Sequence, residues 1–260
     1  MHDVSALELV GLGVIAFLAG GINAVAGGGT LLTFPAMVAA GMPVVAANVT
    51  NTVALVPGYV GGIAGYRREL DGQSATVRRL LPVAVAGAAF GATLLLVTST
   101  RVFSLIVPFL VLGASLLLLA QPILQRRLQR PHRRTGEPRS GDRRVLLGVG
   151  VFLAAIYGGY FGGVLGVVLL ATLGITMTDH LQRLNALKSV LQFSINGVAV
   201  IVFALFGPVR WWIVLVMAPL TLLGGWSGSR AARRLRPEVL RWTVGTYGIV
   251  CAVVLAIELR

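Results

Sequence analysis

Apolar residues in this chain come in long uninterrupted runs, separated by short stretches that gather nearly all the charge. The runs lie at Ala46 to Ala64, Leu80 to Val97, Val102 to Ala120, Ala186 to Phe206, Trp211 to Leu223 with its glycine-rich continuation, and Trp242 to Ile257. A helix crosses a bilayer with about 20 predominantly apolar residues, so each run is predicted as a membrane helix. Two further runs are longer and interrupted. Leu7 to Met42 is broken at Gly27-Gly28-Gly29, and Val145 to Met177 is broken around Gly158 to Gly163. The arm that follows each break is short for a straight span. A glycine-broken helix or a re-entrant hairpin is predicted at both places.

The polar stretches set an orientation. Arg67, Arg68, Arg78 and Arg79 fall in one loop, and Arg126, Arg127, Arg130, Arg133, Arg134, Arg139, Arg143 and Arg144 in a long central one. A third holds Arg230, Arg233, Arg234, Arg236 and Arg241. The bias of positive residues toward the cytoplasm places all three inside. The turns at Thr98–Arg101 and Gly207–Arg210 carry one arginine each and are expected outside. The central stretch, residues 122–144, reads as a solvated linker between a first transmembrane unit, 1–121, and a second, 145–260.

The two units resemble each other. In the first, Gly27 to Gly29 lead through a short arm to Gly41, and Asn48-Val49-Thr50-Asn51-Thr52 opens a helix. In the second, Gly162-Gly163 lead to Gly174, the connector runs from Ile175 to Leu184, and Asn185-Ala186-Leu187-Lys188-Ser189 opens a helix. The loop closing this motif is arginine-rich in the first unit and nearly bare in the second, and the next loop reverses that order. Equivalent loops thus fall on opposite sides, which is an inverted repeat, the plan of many secondary transporters. The fold class is all-α: a polytopic membrane protein of two inverted-topology repeats, with both termini outside.

Composition agrees. Apolar residues make up 56% and charged residues 12%, half the charged share a soluble domain carries. The net charge of +13 raises the question of nucleic acid, but arginines confined between membrane runs fit anionic lipid instead. Cys251 is the single cysteine, so no intrachain disulfide and no thiolate metal cluster is expected. Ala24-Val25-Ala26 resembles a signal-peptidase site. No Lys or Arg precedes Arg67 to form a basic n-region, so this stretch is read as a retained first helix.

Chemistry is sought where backbone is irregular, because broken helices in lipid are tolerated only when buried or lining a cavity. The backbone N–H groups of Gly27, Gly28, Gly29 and Thr30, and of Gly162 and Gly163, sit at half-helix amino termini suited to an anion. The competing reading is close packing, for which Gly58/Gly62, Gly87/Gly91, Gly159/Gly163 and Gly224/Gly228 have the spacing. Lys188 is the only lysine and lies among Leu187, Val190, Leu191 and Phe193. A central lysine costs about 2.5–3.5 kcal/mol on insertion scales, and no carboxylate lies mid-span to neutralise it. It either snorkels to the headgroups or meets an anionic substrate. Asn51 holds the equivalent place in the first unit, flanked by Thr50 and Thr52 as Lys188 is by Ser189. Asn48 and Asn185 lie one turn earlier, and Asn23 and Asn196 are in apolar surroundings. All of these can bond an oxyanion or a neighbouring helix. Asp179 and His180 are adjacent in the connector, as a surface loop or a proton-coupling pair. His2 and His132 stand apart from any such cluster.

These residues resemble the TauE/SafE (sulfite exporter-like) membrane proteins. The likeness rests on Gly27-Gly28-Gly29, Pro35, Gly41, Ala47 through Thr52 leading to Tyr66-Arg67, Gly162-Gly163, Arg183-Leu184-Asn185-Ala186-Leu187-Lys188, Asn196, the Gly207-to-Trp212 turn, and Gly224 to Arg241 with Pro237-Glu238. The resemblance implies a transporter of small sulfur-containing anions, sulfite or sulfonate-type, in the bacterial cytoplasmic membrane. It implies no cofactor. An anion channel is the alternative. Gly225-Trp226-Ser227-Gly228 has the form of an intramembrane-protease nucleophile, but no histidine follows Ser227 to serve as its base. The glycine clusters lack the strand and lysine of a phosphate loop. Coupling ion (proton or sodium), transport direction and oligomeric state leave no mark in the sequence.

Overall fold

The computed structural model describes residues 6–25, 27–65, 68–129, 140–177, 179–231 and 237–258. The order is α1 (Ala6–Val25), α2 (Thr30–Ala39), α3 (Val44–Gly65), a 3₁₀ turn at Arg68–Leu70, α4 (Ser74–Val97) and α5 (Thr100–Gln129). Then come α6 (Ser140–Tyr160), α7 (Leu165–Thr176), α8 (Leu181–Phe206), α9 (Trp211–Ala231) and α10 (Pro237–Glu258). No strand occurs among the described residues. Six of these helices are long and apolar enough to cross a membrane. Large apolar side chains such as Phe109, Phe206 and Leu215 point outward, each more than 70% exposed, as lipid allows and water does not. The chain is a multi-pass α-helical membrane protein.

Both interrupted runs fold back. Gly27 and Gly162 occupy the left-handed region, with φ of +80° and +72°, where a residue without Cβ is at ease. After the second break, Leu165 lies against Gly158 and Thr172 against Gly150, so α7 returns along α6. After the first, Gly29 sits beside Asn23. At 10 and 12 residues, α2 and α7 reach only about half of a 30 Å hydrocarbon core. These are re-entrant hairpins.

Packing pairs the two halves crosswise. α1 packs on α9 and α4 on α6; α3 packs on α9 and α4 on α8; α5 packs on α10 and α3 on α8. Matching α1–α5 to α6–α10 in order turns each of these pairings into another of the set, or into itself. Contact positions give the directions. Gly245 meets Leu119 while Gly248 meets Ser115, so α5 and α10 are antiparallel; Gly207, just past α8, meets Val49 near the start of α3. Arg79 at the start of α4 and Arg143 and Arg144 at the start of α6 line one cavity. The amino end of α10 lies beside the carboxyl end of α5. The arginine-rich ends therefore share one face of the molecule.

Several boundaries differ from the sequence reading. α3 begins at Val44 and α8 at Leu181, ahead of Asn48 and Asn185, so Asn51 and Lys188 lie in the second turn or beyond. α7 runs to Thr176, which shortens the connector expected from Ile175 to Leu184. α4 begins at Ser74, so Arg78 and Arg79 are helical. α5 continues to Gln129 and α6 starts at Ser140, placing both ends of the central arginine-rich stretch in helix. Arg241 lies inside α10, opened by Pro237 with Glu238 in its first turn, a favourable amino-terminal pairing. At α4, α5, α6 and α8 the added residues include arginine, glutamine or leucine, whose helix propensity is high. Tyr66, Arg67, Arg130, Arg133, Arg134, Arg139, Arg233, Arg234, Arg236, His2 and His132 lie outside the described residues.

Glycine sets the closest approaches. A methyl group at Gly224 would lie 2.8 Å from the Phe17 carbonyl carbon, and one at Gly91 2.9 Å from that of Ile156. Gly113 has nothing within 4 Å. Gly91→Val and Gly224→Val are therefore expected to destabilise the detergent-solubilised protein by about 1–3 kcal/mol or more through overpacking. Gly113→Val should fall within a few tenths of a kcal/mol apart from helix propensity. Thermal unfolding followed by fluorescence-detected size exclusion measures the difference.

Candidate functional site

Three helices enclose a small cavity. α1 supplies Asn23 and Ala24, α3 supplies Gly58 and Tyr59, and α8 supplies Lys188, Ser189 and Gln192. Its shape begins with Pro57, which interrupts the hydrogen-bond ladder of α3, and with Gly58, where α9 approaches at Thr221. Thr221 Oγ1 donates to the Ala54 carbonyl at 2.7 Å, tying α9 to that part of α3. The enclosed volume is about 30 Å³, room for a ligand of a few heavy atoms, since one water needs roughly 10–15 Å³ by this measure.

Lys188 dominates the electrostatics. Protein surrounds it, yet it retains partial accessibility because its side chain borders the cavity. Its stem passes Gly166 of α7. Among the described residues the ammonium has neither a hydrogen-bond acceptor nor a carboxylate. The ion pair present there joins Arg183 to Asp179 at 3.0 Å. Arg241, only 9% exposed, lies within electrostatic range of Lys188 and adds positive charge rather than cancelling it. Its Nε has no partner. Asn23 accepts from the Gly29 N–H at 2.8 Å and leaves its buried Nδ2 without an acceptor. The Gln192 amide adjoins the Tyr59 hydroxyl. The cavity is thus lined by Lys188 and by neutral amide and hydroxyl groups, with no carboxylate from the described residues.

The sequence-derived candidates divide between two regions. Lys188 and Ser189 line the cavity. Ser189 Oγ donates to the Asn185 carbonyl at 2.8 Å, so its hydrogen is committed within the helix. Thr52 donates in the same way to the Asn48 carbonyl at 3.0 Å. Asn51 is bonded by Thr33 of α2, which also donates to Gly29. Asn48 Nδ2 donates to the Tyr160 carbonyl at 2.9 Å, capping the end of α6. Thr50 accepts from the Arg210 N–H at 3.0 Å. Asn196 donates to the Gln192 carbonyl at 2.8 Å and borders Gly162. Gly27, Gly28, Gly29 and Thr30 are buried at the first break; Gly163 accepts from the Tyr157 hydroxyl at the second. Asn51 and Lys188, equivalent in sequence, do not share the cavity: α3 and α8 run in opposite directions and carry them to different levels.

Gln192, Tyr59 and Arg241 are the residues that the sequence reading did not single out. Gln192 had a signal, because Lys188, Gln192 and Asn196 recur every four residues and form one polar stripe on α8. Arg241 was hidden among loop arginines. Asp179 holds Arg183 and accepts from the His180 N–H, and Arg183 reaches the Asp71 carbonyl at 3.1 Å. This pair fastens the start of α8 to the α3–α4 connection. Ser227 donates to its own helix at Gly224, and no histidine among the described residues serves it.

If the cavity admits solvent, a cysteine at its wall will show it. In a Cys251→Ser background, Ser189→Cys is expected to react with a small anionic methanethiosulfonate at least tenfold faster than Ala186→Cys, since Ala186 is fully buried. Equal rates would mean that the cavity stays shut.

Comparison with known proteins places this arrangement. The model of the family described as "Sulfite exporter TauE/SafE" matches residues 12–255. A Sinorhizobium protein named "Probable membrane transporter protein ORF9" is 31% identical over 100% of this chain and 95% of its own length. The Escherichia coli K12 "Probable membrane transporter protein YfcA" is 30% identical, covering 92% of this chain and 86% of that protein. A Haemophilus influenzae "Probable membrane transporter protein" is 26% identical over 83% and 82%. No solved structure matches the chain. A polytopic helical protein with two re-entrant hairpins and a match spanning nearly its whole length is a membrane transporter of the sulfite exporter TauE/SafE family.

Proposed function

We propose that this protein carries a small oxyanion, of sulfite or sulfonate type, through a site between two inverted-topology repeats by alternating access. The observation that carries the reading is Lys188: a cation among helices, facing a cavity lined by amide and hydroxyl groups, with no carboxylate among the described residues to neutralise it. An anion that enters recovers the solvation the ammonium gave up. Tyr59 and Gln192 line the cavity and can add hydrogen bonds, and Arg241 adds long-range attraction. The sulfur assignment comes from the family's description, and the cavity's size favours a ligand of few atoms.

Inversion is supported by the crosswise packing and by the antiparallel course of α5 against α10. The cavity draws α1 and α3 from one repeat and α8 from the other, so a movement of α8 relative to α1 and α3 alters it directly. On the positive-inside rule the shared arginine face is cytoplasmic, as in the plasma membrane of a bacterium. In the proposed cycle the Arg183–Asp179 cluster closes one side, and the Arg210 N–H to Thr50 bond closes the other.

Purified protein in proteoliposomes is expected to give saturable sulfite flux. Lys188→Met should lower kcat/KM at least tenfold, while Lys188→Arg should retain part of it. Flux that rises linearly without saturation would favour a channel. Saturable flux unchanged in Lys188→Met would remove the lysine from the site.

A further inference from the structure

A second basic cavity shares no lining residue with the one beside Lys188. It is about 310 Å³ and sits where the first turns of α4 and α6 meet the last turn of α7. Arg79 comes from α4, and Arg143 and Arg144 from α6; Leu80, Leu147 and Met177 form its apolar part. The Arg143 Nε is buried without a partner. No carboxylate among the described residues pairs with any of the three guanidinium groups. We propose that this cavity binds the phosphodiester headgroup of an anionic glycerophospholipid.

Three features distinguish a lipid from a soluble anion. The cationic rim stands over an apolar floor, so the site matches a molecule charged at one end and apolar at the other. Beyond the cavity, α6 presents Val145, Leu146 and Val149 outward, 67%, 56% and 50% exposed, and α7 presents Ile175 at 52%. These side chains offer acyl chains a surface continuous with the site. Both arginine-bearing helix starts lie on the arginine-rich face, at the amino ends of the apolar spans Ser74–Val97 and Arg143–Tyr160. Guanidinium forks bond phosphate oxygens in pairs, and basic pockets between membrane helices hold such headgroups. A lipid here would also clamp α4, of the first repeat, to α6, of the second.

The test uses the full chain, and native mass spectrometry counts retained lipid. Wild type is expected to keep phosphatidylglycerol at concentrations where phosphatidylcholine is lost. Arg79→Gln/Arg143→Gln/Arg144→Gln should weaken that retention at least tenfold, at roughly three- to fivefold per arginine. Arg101→Gln, at the exposed start of α5 on the other face, should leave it unchanged. If the triple variant does not fold, Arg143→Gln alone should lose about threefold. Undiminished preference in these variants overturns the proposal. So does displacement of the lipid by millimolar inorganic phosphate at constant ionic strength, which would make the cavity a site for free oxyanions.

Discussion

An ammonium held among membrane helices without an opposite charge is the constraint on which the functional account rests. Water is absent from the hydrocarbon core, so a charged group there must be solvated by protein, by a counter-charge or by a ligand. Lys188 finds no carboxylate among the described residues, and Arg241 makes its surroundings more positive. In the proposed reading an anionic substrate supplies the missing counter-charge. Differential affinity of this kind lets a small substrate shift a conformational equilibrium.

The fold keeps that group in place through very close helix contacts. Glycine backbones let α1 touch α9 and α4 touch α6 nearly atom to atom, leaving little slack for rearrangement within a pair. The hairpins then hold short helices that reach only part of the way across. Their irregular backbone is buried in protein, as the bilayer demands. Each of these close pairs joins a helix of the first half to one of the second, and the cavity lies where α1 and α3 meet α8.

Much of this was legible in the sequence because lipid imposes a severe rule on chain patterning. The apolar runs marked the long helices, and the glycine clusters at Gly27 and Gly162 marked both fold-backs. Lys188 stood out by cost alone. Helix beginnings were less legible: polar residues such as Arg183 and Arg79 continue a helix into the headgroup region, where composition resembles a loop. Arg241 was lost in an arginine-rich stretch for the same reason. Tyr59 and Gln192 became recognisable only once α3 and α8 were packed, since which residues face each other across a seam depends on direction and register. The antiparallel course of α3 and α8 also explains why Asn51, matched to Lys188 in sequence, is not its neighbour in space.

The most direct measurement is equilibrium binding of radiolabelled sulfite to the detergent-solubilised protein, with Lys188→Met compared at equal folded fraction. The account predicts saturable binding near one ion per chain that weakens with added salt and falls at least tenfold in the variant. Binding of equal strength in Lys188→Met would contradict it, because the uncompensated charge would then have no part in holding the anion.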